Sequence, residues 1–289
     1  INALACGNVF SAGENGMLWT DKIQAQDAFE EAERVQQMLM TENDTNKDVS
    51  LRVFKDFWPQ TVPSANRLIE KGFFDFKIDV NMVLKIHEDW KTINDYLMSM
   101  KTKFRTRAKA VYRKSAPLTV KALNTQDILE ESEHIVRLFD SVLEKSDFHI
   151  GTMNPKTFAA CKKNLGDDFI FTAYYMDEKM LGFSTAFRNA ASFDANYVGL
   201  DYSYNEQYDI YQRILYDYVE EAMKAKVPEL QFGRTSELIK SAVGAEPRDM
   251  TIYIKHKRKL SNIILKKVIQ SVAPSPFELR KPFKANFKN

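Results

Sequence analysis

The feature that most constrains the fold of this chain is a strand, a helix and a strand that follow one another in its second half. Hydropathy predicts them at 193–201, 208–227 and 230–234. Two earlier segments, 168–176 and 180–189, predict strands joined by a polar turn. Strands joined by a helical crossover are parallel, whereas strands joined by a tight turn are antiparallel. The sequence therefore predicts a mixed, mostly antiparallel sheet flanked by helices.

The first part of the chain has an order of strands and helices similar to that of the second half. Strands are predicted at 50–57 and 73–86, and a long helix at 89–114 that is strongly basic in its second half. Pro117 ends this block, and 250–257 supplies the last strand of the second block. The predicted divisions are an N-terminal block over 1–117, a C-terminal block over 118–259 and a basic tail over 260–289.

The net charge of +2 conceals an uneven distribution of charge. Residues 255–289 include ten Lys or Arg and one acid, Glu278, and residues 101–121 include eight basic residues and no acid. Basic blocks of this kind favour an anionic partner, although most of them are solvated faces. The overall composition, 44% hydrophobic and 28% charged, is typical of a globular protein.

Cys6 and Cys161 lie far apart, and neither has the C-x-x-C spacing of a redox or metal site. This usage predicts a reducing compartment, so we expect a cytoplasmic protein, with peripheral membrane contact as the alternative. The four histidines have no metal-ligand spacing, so no metal is expected. No apolar run approaches the roughly 20 residues that span a bilayer.

Two polar motifs lie where predicted strands end, Gly-Leu-Asp at 199–201 and Phe-Gly-Arg at 232–234, with Lys240 and Gly244 after the second. The element order and these motifs resemble the acyl-CoA N-acyltransferase (GNAT) fold. More narrowly, they resemble the FemAB-like acyltransferases of peptidoglycan and cell-envelope chemistry. The resemblance implies an α/β (α+β) fold with two tandem GNAT-like halves, in which 1–117 is a partial or degenerate half.

In the GNAT family, a backbone N–H of the central strand holds the oxyanion of the acyl-transfer step at the point where two parallel strands part. The resemblance places this N–H at Gly199 or Leu200, in a cleft that Gly233 also borders. Ligands of open α/β sheets bind at the carboxyl ends of strands where the order reverses, which indicates the same place. Tyr197 alternates with Gly199 and Asp201 on one strand face, so it is a candidate to line the cleft.

Asp201, Tyr202 and Arg234 are the candidate catalytic residues. Asp201 is predicted to act as general base or to orient the amine, with a turn-forming aspartate as the alternative. Tyr202 and Tyr204 are candidate proton donors to the leaving group, although packing against the helix accounts for a tyrosine equally well. Arg234 is predicted to clamp a phosphate or carboxylate, with a structural ion pair as the alternative.

Three further residues are assigned to substrate binding. Lys240 is a second candidate for anion binding, and Tyr211 lies on the buried stripe of the predicted helix. His149 lies in the loop that contacts the acceptor in related proteins. Each of the three also has an ordinary structural explanation.

The acyl donor is open between two classes. GNAT enzymes that bind coenzyme A hold its pyrophosphate with a glycine-rich loop before the central helix. Here the corresponding residues, 202–207, are Tyr-Ser-Tyr-Asn-Glu-Gln, and Glu206 and Asp209 would repel a pyrophosphate. Fem-type enzymes also lack that loop and take the acyl group from aminoacyl-tRNA. Acyl-CoA and aminoacyl-tRNA are therefore both candidate donors.

The basic helix and the tail supply candidate anion-binding surfaces. Lys101, Arg105, Lys109 and Arg113 recur every four residues and form one charged stripe. The stripe predicts contact with RNA or an anionic donor, with a solvated face as the alternative. Apolar and basic residues over 263–269 predict an amphipathic helix that lies on a membrane surface or docks on the protein's own core.

Two hypotheses of different class result. The first is an N-acyltransferase that moves an acyl or aminoacyl group to an amine by direct attack, with a small molecule or an envelope precursor as acceptor. The second is a non-catalytic GNAT-fold protein that binds nucleic acid or an anionic envelope precursor.

Overall fold

A computed structural model describes residues 2–8, 10–42, 48–77, 79–145, 154–271 and 277–287. In chain order the strands are β1 (Asn2–Cys6), β2 (Val49–Phe57), β3 (Phe74–Phe76), β4 (Val80–Lys85), β5 (Thr119–Ala122), β6 (Phe169–Met176), β7 (Lys179–Arg188), β8 (Ser192–Leu200), β9 (Glu229–Gln231), β10 (Glu246–Asp249) and β11 (Thr251–His256). The helices are α1 (Ala25–Glu42), α2 (Val62–Ala65), α3 (Arg67–Glu70), α4 (Ile93–Ser99), α5 (Thr102–Lys114), α6 (Thr125–Glu130), α7 (Ser132–Leu143), α8 (Pro155–Leu165), α9 (Tyr202–Tyr208), α10 (Ile210–Ala225), α11 (Glu237–Ala242) and α12 (Lys259–Ser271).

The chain forms two compact units, and each unit combines two separate stretches of sequence. The first unit consists of Ile1–Asn81 and Pro247–Phe277. The second consists of Met82–Glu246 and Glu278–Asn289. These units do not follow the predicted divisions at 117 and 259, because β11 lies in the sheet of the first unit and α5 lies in the second. That the first block is a degenerate GNAT-like half stays a prediction.

The first unit is a four-stranded sheet in the order β1-β2-β11-β3. β1 and β2 are parallel, with α1 as the crossover between them, and β11 is antiparallel to both β2 and β3. Its core consists of large apolar side chains that helix and sheet contribute together, among them Phe29, Phe54, Phe73 and Tyr253. The burial of these aromatic groups is the main favourable contribution to the stability of the unit.

In the second unit, strands lie side by side in the order β4-β9-β8-β7-β6-β5. β5 to β8 form an antiparallel meander, β9 is parallel to β8, and β4 is antiparallel to β9. One core lies between this sheet and α6, α7 and α8, with Ile135, Phe158, Phe171 and Phe183 at its centre. The predicted mixed, mostly antiparallel sheet flanked by helices is confirmed.

Two predicted elements are divided in the structure. The predicted strand at 73–86 is two strands, β3 and β4, which lie in different sheets. The predicted helix at 89–114 is two helices, α4 and α5, because Met100 and Lys101 are extended. Lys101 N donates to Pro282 O at 2.8 Å, and Met100 forms a β-bridge with Phe283. This pairing with the C-terminal segment satisfies the backbone groups that the break in the helix leaves open.

None of the helices in the described parts of the chain has the length and apolar character needed to cross a membrane.

Candidate functional site

The parallel strands β8 and β9 are paired only at their first residues. Their register runs from the Ser192–Glu229 pair to the Asp194–Gln231 pair. β8 then continues to Leu200 along β7, whereas the backbone after β9 hydrogen-bonds to β4. The carboxyl ends of the two strands therefore part, and we call the space between them the β8–β9 opening. This is the place where the sequence predicted the site.

Backbone N–H groups of β8 are directed into the β8–β9 opening at every second residue. Asp201 N donates to Leu181 O at 2.8 Å, so its N–H faces β7. Because N–H groups alternate between the two edges of a strand, the N–H of Gly199 faces β7 as well, and the N–H of Leu200 faces the opening. Of the two predicted oxyanion positions, Leu200 has the required direction.

Gly199 has a packing role in the structure. A β-carbon on residue 199 would lie 2.1 Å from Phe183 Cε1 and 2.9 Å from Leu138 Cβ. Glycine therefore lets α7 approach β8 closely. The Ser141 hydroxyl of α7 donates to Leu200 O at 2.8 Å, so the same helix also fixes the end of β8.

The loop after β9 has an unusual backbone. Gly233, Thr235 and Ser236 have positive φ angles of 75°, 62° and 56°, and the half-buried Arg234 lies between them. A left-handed conformation is uncommon for a residue with a side chain, and it is least favourable for a β-branched residue such as Thr235. Strained loops of this kind cluster at functional sites and persist only where their surroundings hold them.

The buried side chain of Lys240 holds this loop through hydrogen bonds to its main chain. Its side chain is buried, and Nζ donates to Arg234 O at 2.5 Å and to Gly233 O at 3.4 Å. Burial lowers the pKa of Lys240 to about 7, and the nearby Glu237 opposes part of this change. The predicted anion-binding lysine thus contacts main-chain carbonyls, and its bonds stabilise the strained backbone.

Two tyrosines lie where α9 and α10 begin. The side chain of Tyr211 is hydrogen-bonded to that of Ser236, and it interacts electrostatically with Tyr202. Burial raises the pKa of both hydroxyls, so both are protonated at neutral pH. Lys145 Nζ, at the end of α7, lies 3.7 Å from the centre of the Tyr202 ring. Tyr202 and Tyr211 therefore join the loop after β9 to the segment after β8.

Asp201 lies among a different set of partners. Its carboxylate accepts from Ser203 N at 3.1 Å, which caps α9, and from Lys179 Nζ at 3.2 Å. Burial alone would raise the pKa of this carboxyl, but the bonds from Ser203 and Lys179 outweigh it and lower the pKa. Lys179 Nζ also lies 4.2 Å from the centre of the Tyr204 ring. These contacts favour a capping and orienting role, and general-base action by Asp201 stays a prediction.

Tyr197 packs against the helices. Its ring lies 5.5 Å from Phe139 and 5.9 Å from Phe158, measured between ring centres. Burial raises the pKa of Tyr197 to about 12. The aromatic contacts make Tyr197 part of the core beside α7 and α8, and its predicted role in substrate binding stays a prediction.

A groove of about 620 Å³ runs along the outer face of α7 to the start of α8. Glu133, Asp140 and Glu144 supply negative charge to its lining, and Arg137 and Lys156 supply positive charge. Ser141, which bonds to Leu200 O, also lines this groove. The groove therefore borders the end of β8.

The predicted basic stripe on α5 divides into two pairs. Lys101 Nζ donates to Lys281 O at 2.8 Å, and Arg105 Nη1 donates to Met100 O at 3.3 Å. Lys109 and Arg113 are exposed, and neither forms an ion pair with a described residue. Lys101 and Arg105 thus have intramolecular partners, whereas Lys109 and Arg113 present their charge to solvent.

Some site features were not predicted from the sequence. Ser141, Lys145 and Ser236 come into the region from α7 and from the loop after β9. Only Ser236 had a local signal, because it is the second residue after the Phe-Gly-Arg motif. The predicted acceptor-loop residue His149 lies outside the described residues. Within the described ranges, no three or more His, Cys, Asp or Glu side chains are grouped as metal ligands.

Comparison with solved structures identifies the fold. The chain is similar to FemX, with 10% identity, a TM-score of 0.57 and coverage of 93% of this chain and 83% of FemX. It is similar to the C-terminal DUF2156 domain of a putative lysylphosphatidylglycerol synthetase from Agrobacterium fabrum, with 9% identity, a TM-score of 0.51 and coverage of 88% and 80%. For L-PGS from Bacillus licheniformis the identity is 9%, the TM-score 0.51 and the coverage 81% and 77%.

No protein-family model matches the sequence, and no curated protein matches it significantly. The similarity therefore lies in the three-dimensional structure. Together with the mixed sheet and the parting of β8 and β9, it shows that the chain has the GNAT and FemAB-like acyltransferase fold that its sequence predicts.

Proposed function

We propose that this chain is an N-acyltransferase that moves an acyl or aminoacyl group to an amine by direct attack. The parting of β8 and β9 is the observation on which the proposal rests, because it directs the Leu200 N–H into an opening bordered by polar groups. A preorganised N–H at such a place stabilises the negative charge of a tetrahedral intermediate.

In the proposed reaction the amine nitrogen attacks the acyl carbonyl carbon. The C–N bond forms, and the bond from carbon to the leaving oxygen or sulfur breaks once the intermediate collapses. The Leu200 N–H holds the oxyanion, and Tyr202, which is protonated at neutral pH, donates a proton to the leaving group. The proton that the attacking nitrogen loses passes through solvent and restores the Tyr202 hydroxyl, so no net proton is gained or lost. Arg234 binds an anionic part of a substrate near the strained loop.

The start of α9 supports aminoacyl-tRNA rather than acyl-CoA as donor. The carboxylate of Asp201 already caps this helix by accepting from Ser203 N. In a coenzyme A site, pyrophosphate would take such N–H groups, and the Asp201 carboxylate would repel it. The residues present do not fit a pyrophosphate there. On α5, the exposed Lys109 and Arg113 are suited to the phosphates of a nucleic acid.

The name of one structural neighbour supports an aminoacyl group as the group that is moved. A lysylphosphatidylglycerol synthetase is named for a product that contains a lysyl group. We infer that the present chain also moves an aminoacyl group, and that its acceptor is an amine. We infer that the acceptor binds in the groove along α7, because this groove borders the end of β8.

The proposal is tested by thermal unfolding of the chain with acetyl-CoA, longer acyl-CoAs, deacylated tRNA and a mixed aminoacyl-tRNA pool. A ligand present at 100 times its Kd stabilises the folded state by about 2.7 kcal/mol. We expect the largest shift in Tm with aminoacyl-tRNA, a smaller shift with deacylated tRNA, and none with the acyl-CoAs. Arg234→Ala should reduce the difference between charged and deacylated tRNA. A shift with an acyl-CoA would contradict the proposed donor.

The exposed pair on α5 favours a second candidate, a non-catalytic protein that binds nucleic acid. Equal shifts with charged and deacylated tRNA, together with no aminoacyl transfer to any amine, would support it over the first. Lys109→Gln with Arg113→Gln is the matching variant, and Lys163→Gln with Lys91→Gln, which are also exposed, is the control. The readout is the slope of the logarithm of the RNA-binding constant against the logarithm of salt concentration. If α5 binds RNA, only the α5 variant makes this slope shallower, by about one unit for each phosphate that the variant no longer binds.

A further inference from the structure

Helix α12 has an exposed apolar stripe. Leu260, Ile263 and Ile264 are 78%, 59% and 63% exposed, although side chains of this type are usually buried in a monomer. They are spaced three and four residues apart, so they lie on one face of the helix. We call these three residues the α12 stripe.

The opposite face of α12 is attached to the first unit. Asn262 Nδ2 donates to Gly72 O at 3.1 Å, and Asn262 Oδ1 accepts from His256 N at 2.8 Å. Ile269, which lies on the same side as Asn262, is buried. These contacts fix the rotation of the helix, so the α12 stripe faces away from the sheet that carries it.

The charge around the α12 stripe has one sign. Between residues 255 and 267 there are six Lys or Arg and no Asp or Glu. Lys259 flanks the stripe, and Lys267 lies within it, where its long stem can extend beside apolar groups while the ammonium reaches outward. Lys266 Nζ lies 5.4 Å from the centre of the Phe74 ring, so Lys266 is directed toward the sheet. An apolar face bordered by cations is the pattern of helices that lie in the interface of an anionic bilayer.

We propose that α12 docks the protein on a lipid bilayer that contains anionic lipids. The α12 stripe enters the boundary between headgroups and acyl chains, and the lysines contact lipid phosphates. A second copy of the chain is a poorer occupant, because face-to-face contact of two such helices would bring the same positive charges together. This inference does not depend on the proposed acyl transfer.

The test is flotation of the full chain with vesicles of phosphatidylcholine alone and of phosphatidylcholine mixed with phosphatidylglycerol. We expect binding to the mixed vesicles only, and a loss of that binding as salt is raised. Ile263→Ser with Ile264→Ser should weaken binding by about tenfold or more, because the stripe loses most of its apolar area. Lys259→Gln with Lys267→Gln should weaken it by about tenfold and reduce its salt dependence.

The matched control is Val35→Ser with Met38→Ser on α1, since these side chains are also apolar and exposed, at 42% and 37%. It should bind vesicles like the unchanged protein. All variants alter exposed side chains, so each should keep the unchanged Tm. The proposal is overturned if the unchanged protein does not float with the mixed vesicles, or if the α12 variants float as well as the control. A concentration-dependent dimer that is lost in the α12 variants, without vesicle binding, would assign the face to a second copy instead.

Discussion

The two units contain the same arrangement of three strands and differ at the strand ends. In the first unit, β1 and β2 are parallel and β11 is antiparallel beside β2. In the second unit, β8 and β9 are parallel and β4 is antiparallel beside β9. In each, a helical crossover joins the parallel pair, and the antiparallel neighbour comes from a distant part of the chain.

The parallel pair of the first unit stays closed. Its register reaches from the start of β1 to its last residue, Cys6, which pairs with Phe54. The loop after β1 then folds over this end, because Cys6 Sγ donates to Gly16 O at 3.3 Å and Trp58 N donates to Glu14 Oε1 at 2.6 Å. A β-carbon on Gly16 would lie only 2.5 Å from a backbone atom of the strand end. At the ends of β8 and β9, the chain after β9 instead follows β4, because Phe232 N donates to Met82 O at 2.8 Å and Met82 N donates to Gly233 O at 3.0 Å.

This comparison teaches that the strand arrangement by itself does not produce a site. A site at the carboxyl ends of parallel strands requires that the strands part, so that backbone N–H groups face an opening rather than a neighbouring strand. It also requires that the loops leave that opening accessible. The strands part in the second unit, which is where the candidate catalytic residues lie.

The largest expected effect tests the packing that positions β8. Gly199→Ala places a methyl group against the Phe183 ring and α7. Overpacking costs about 1 to 3 kcal/mol, and the upper end is expected here because the added β-carbon would lie 2.1 Å from Phe183 Cε1. We expect urea unfolding to show that loss of stability. Ligand-induced shifts in Tm should fall with it, since the end of β8 must move.

Phe183→Leu is the matched background for that change, because the nearest neighbours of the added β-carbon are Cε1 and Cδ1 of the Phe183 ring. Gly199→Ala should cost less stability in the Phe183→Leu protein than in the unchanged protein, because the smaller side chain reduces the overlap. An equal cost in both backgrounds would mean that contact with the Phe183 ring does not hold the strand end.

A smaller effect tests Lys240, the residue that holds the strained loop of the second unit. Its pKa is lowered to about 7 in the folded state, so the unfolded state binds more protons between pH 7 and the normal lysine pKa. The free energy of unfolding should therefore rise with pH in that window. Relative to Lys240→Met, the unchanged protein should gain about 2 kcal/mol between pH 7 and pH 9.

The measurement is urea unfolding of both proteins at each pH, and the difference between them removes the titration of all other groups. Lys255→Met is a useful comparison, because burial lowers the pKa of this first-unit lysine too, though it is less buried. A difference between the unchanged protein and Lys240→Met that stays constant with pH would show that Lys240 is charged in the folded state throughout.

The smallest expected effect tests the closed end of the first unit. Glu14→Ala removes the acceptor of the Trp58 N–H, and loss of a hydrogen bond to a charged group should cost about 1.5 kcal/mol. Chemical unfolding should show this loss, whereas the Tm shift caused by aminoacyl-tRNA should stay unchanged. If the Glu14→Ala protein folds but aminoacyl-tRNA no longer raises its Tm, then the closed end of the first unit takes part in ligand binding. That result would contradict the contrast between a closed strand pair in the first unit and a ligand site in the second.

Much of the fold could be predicted from local pattern. The meander, the crossover helix and the strand after it follow from hydrophobic periodicity in residues that are close in sequence, and each was found within a few residues of its predicted place. The predicted helix at 89–114 was divided because Met100 pairs with Phe283, a contact between residues far apart in the chain. Local propensity contains no information about such a partner.

The site was predictable in position and less so in detail. The Gly-Leu-Asp and Phe-Gly-Arg motifs mark both strand ends, and the absence of a glycine-rich loop before α9 is a property of the sequence alone. Which N–H of β8 faces the opening depends on the register with β7, and the cap formed by Asp201 depends on the geometry of its turn. Lys145 had no local signal, because α7 brings it to Tyr202 only in the folded chain.

The sequence by itself determined the order of elements, the polar ends of the two parallel strands and the charge of the basic segments, because each of these depends on neighbouring residues. Only the tertiary structure decided that β4 lies beside β9 and β11 beside β2, that one parallel pair opens while the other closes, and that α12 exposes its apolar stripe. These outcomes depend on long-range strand pairing and packing, whose free energy exists only once distant segments have come together.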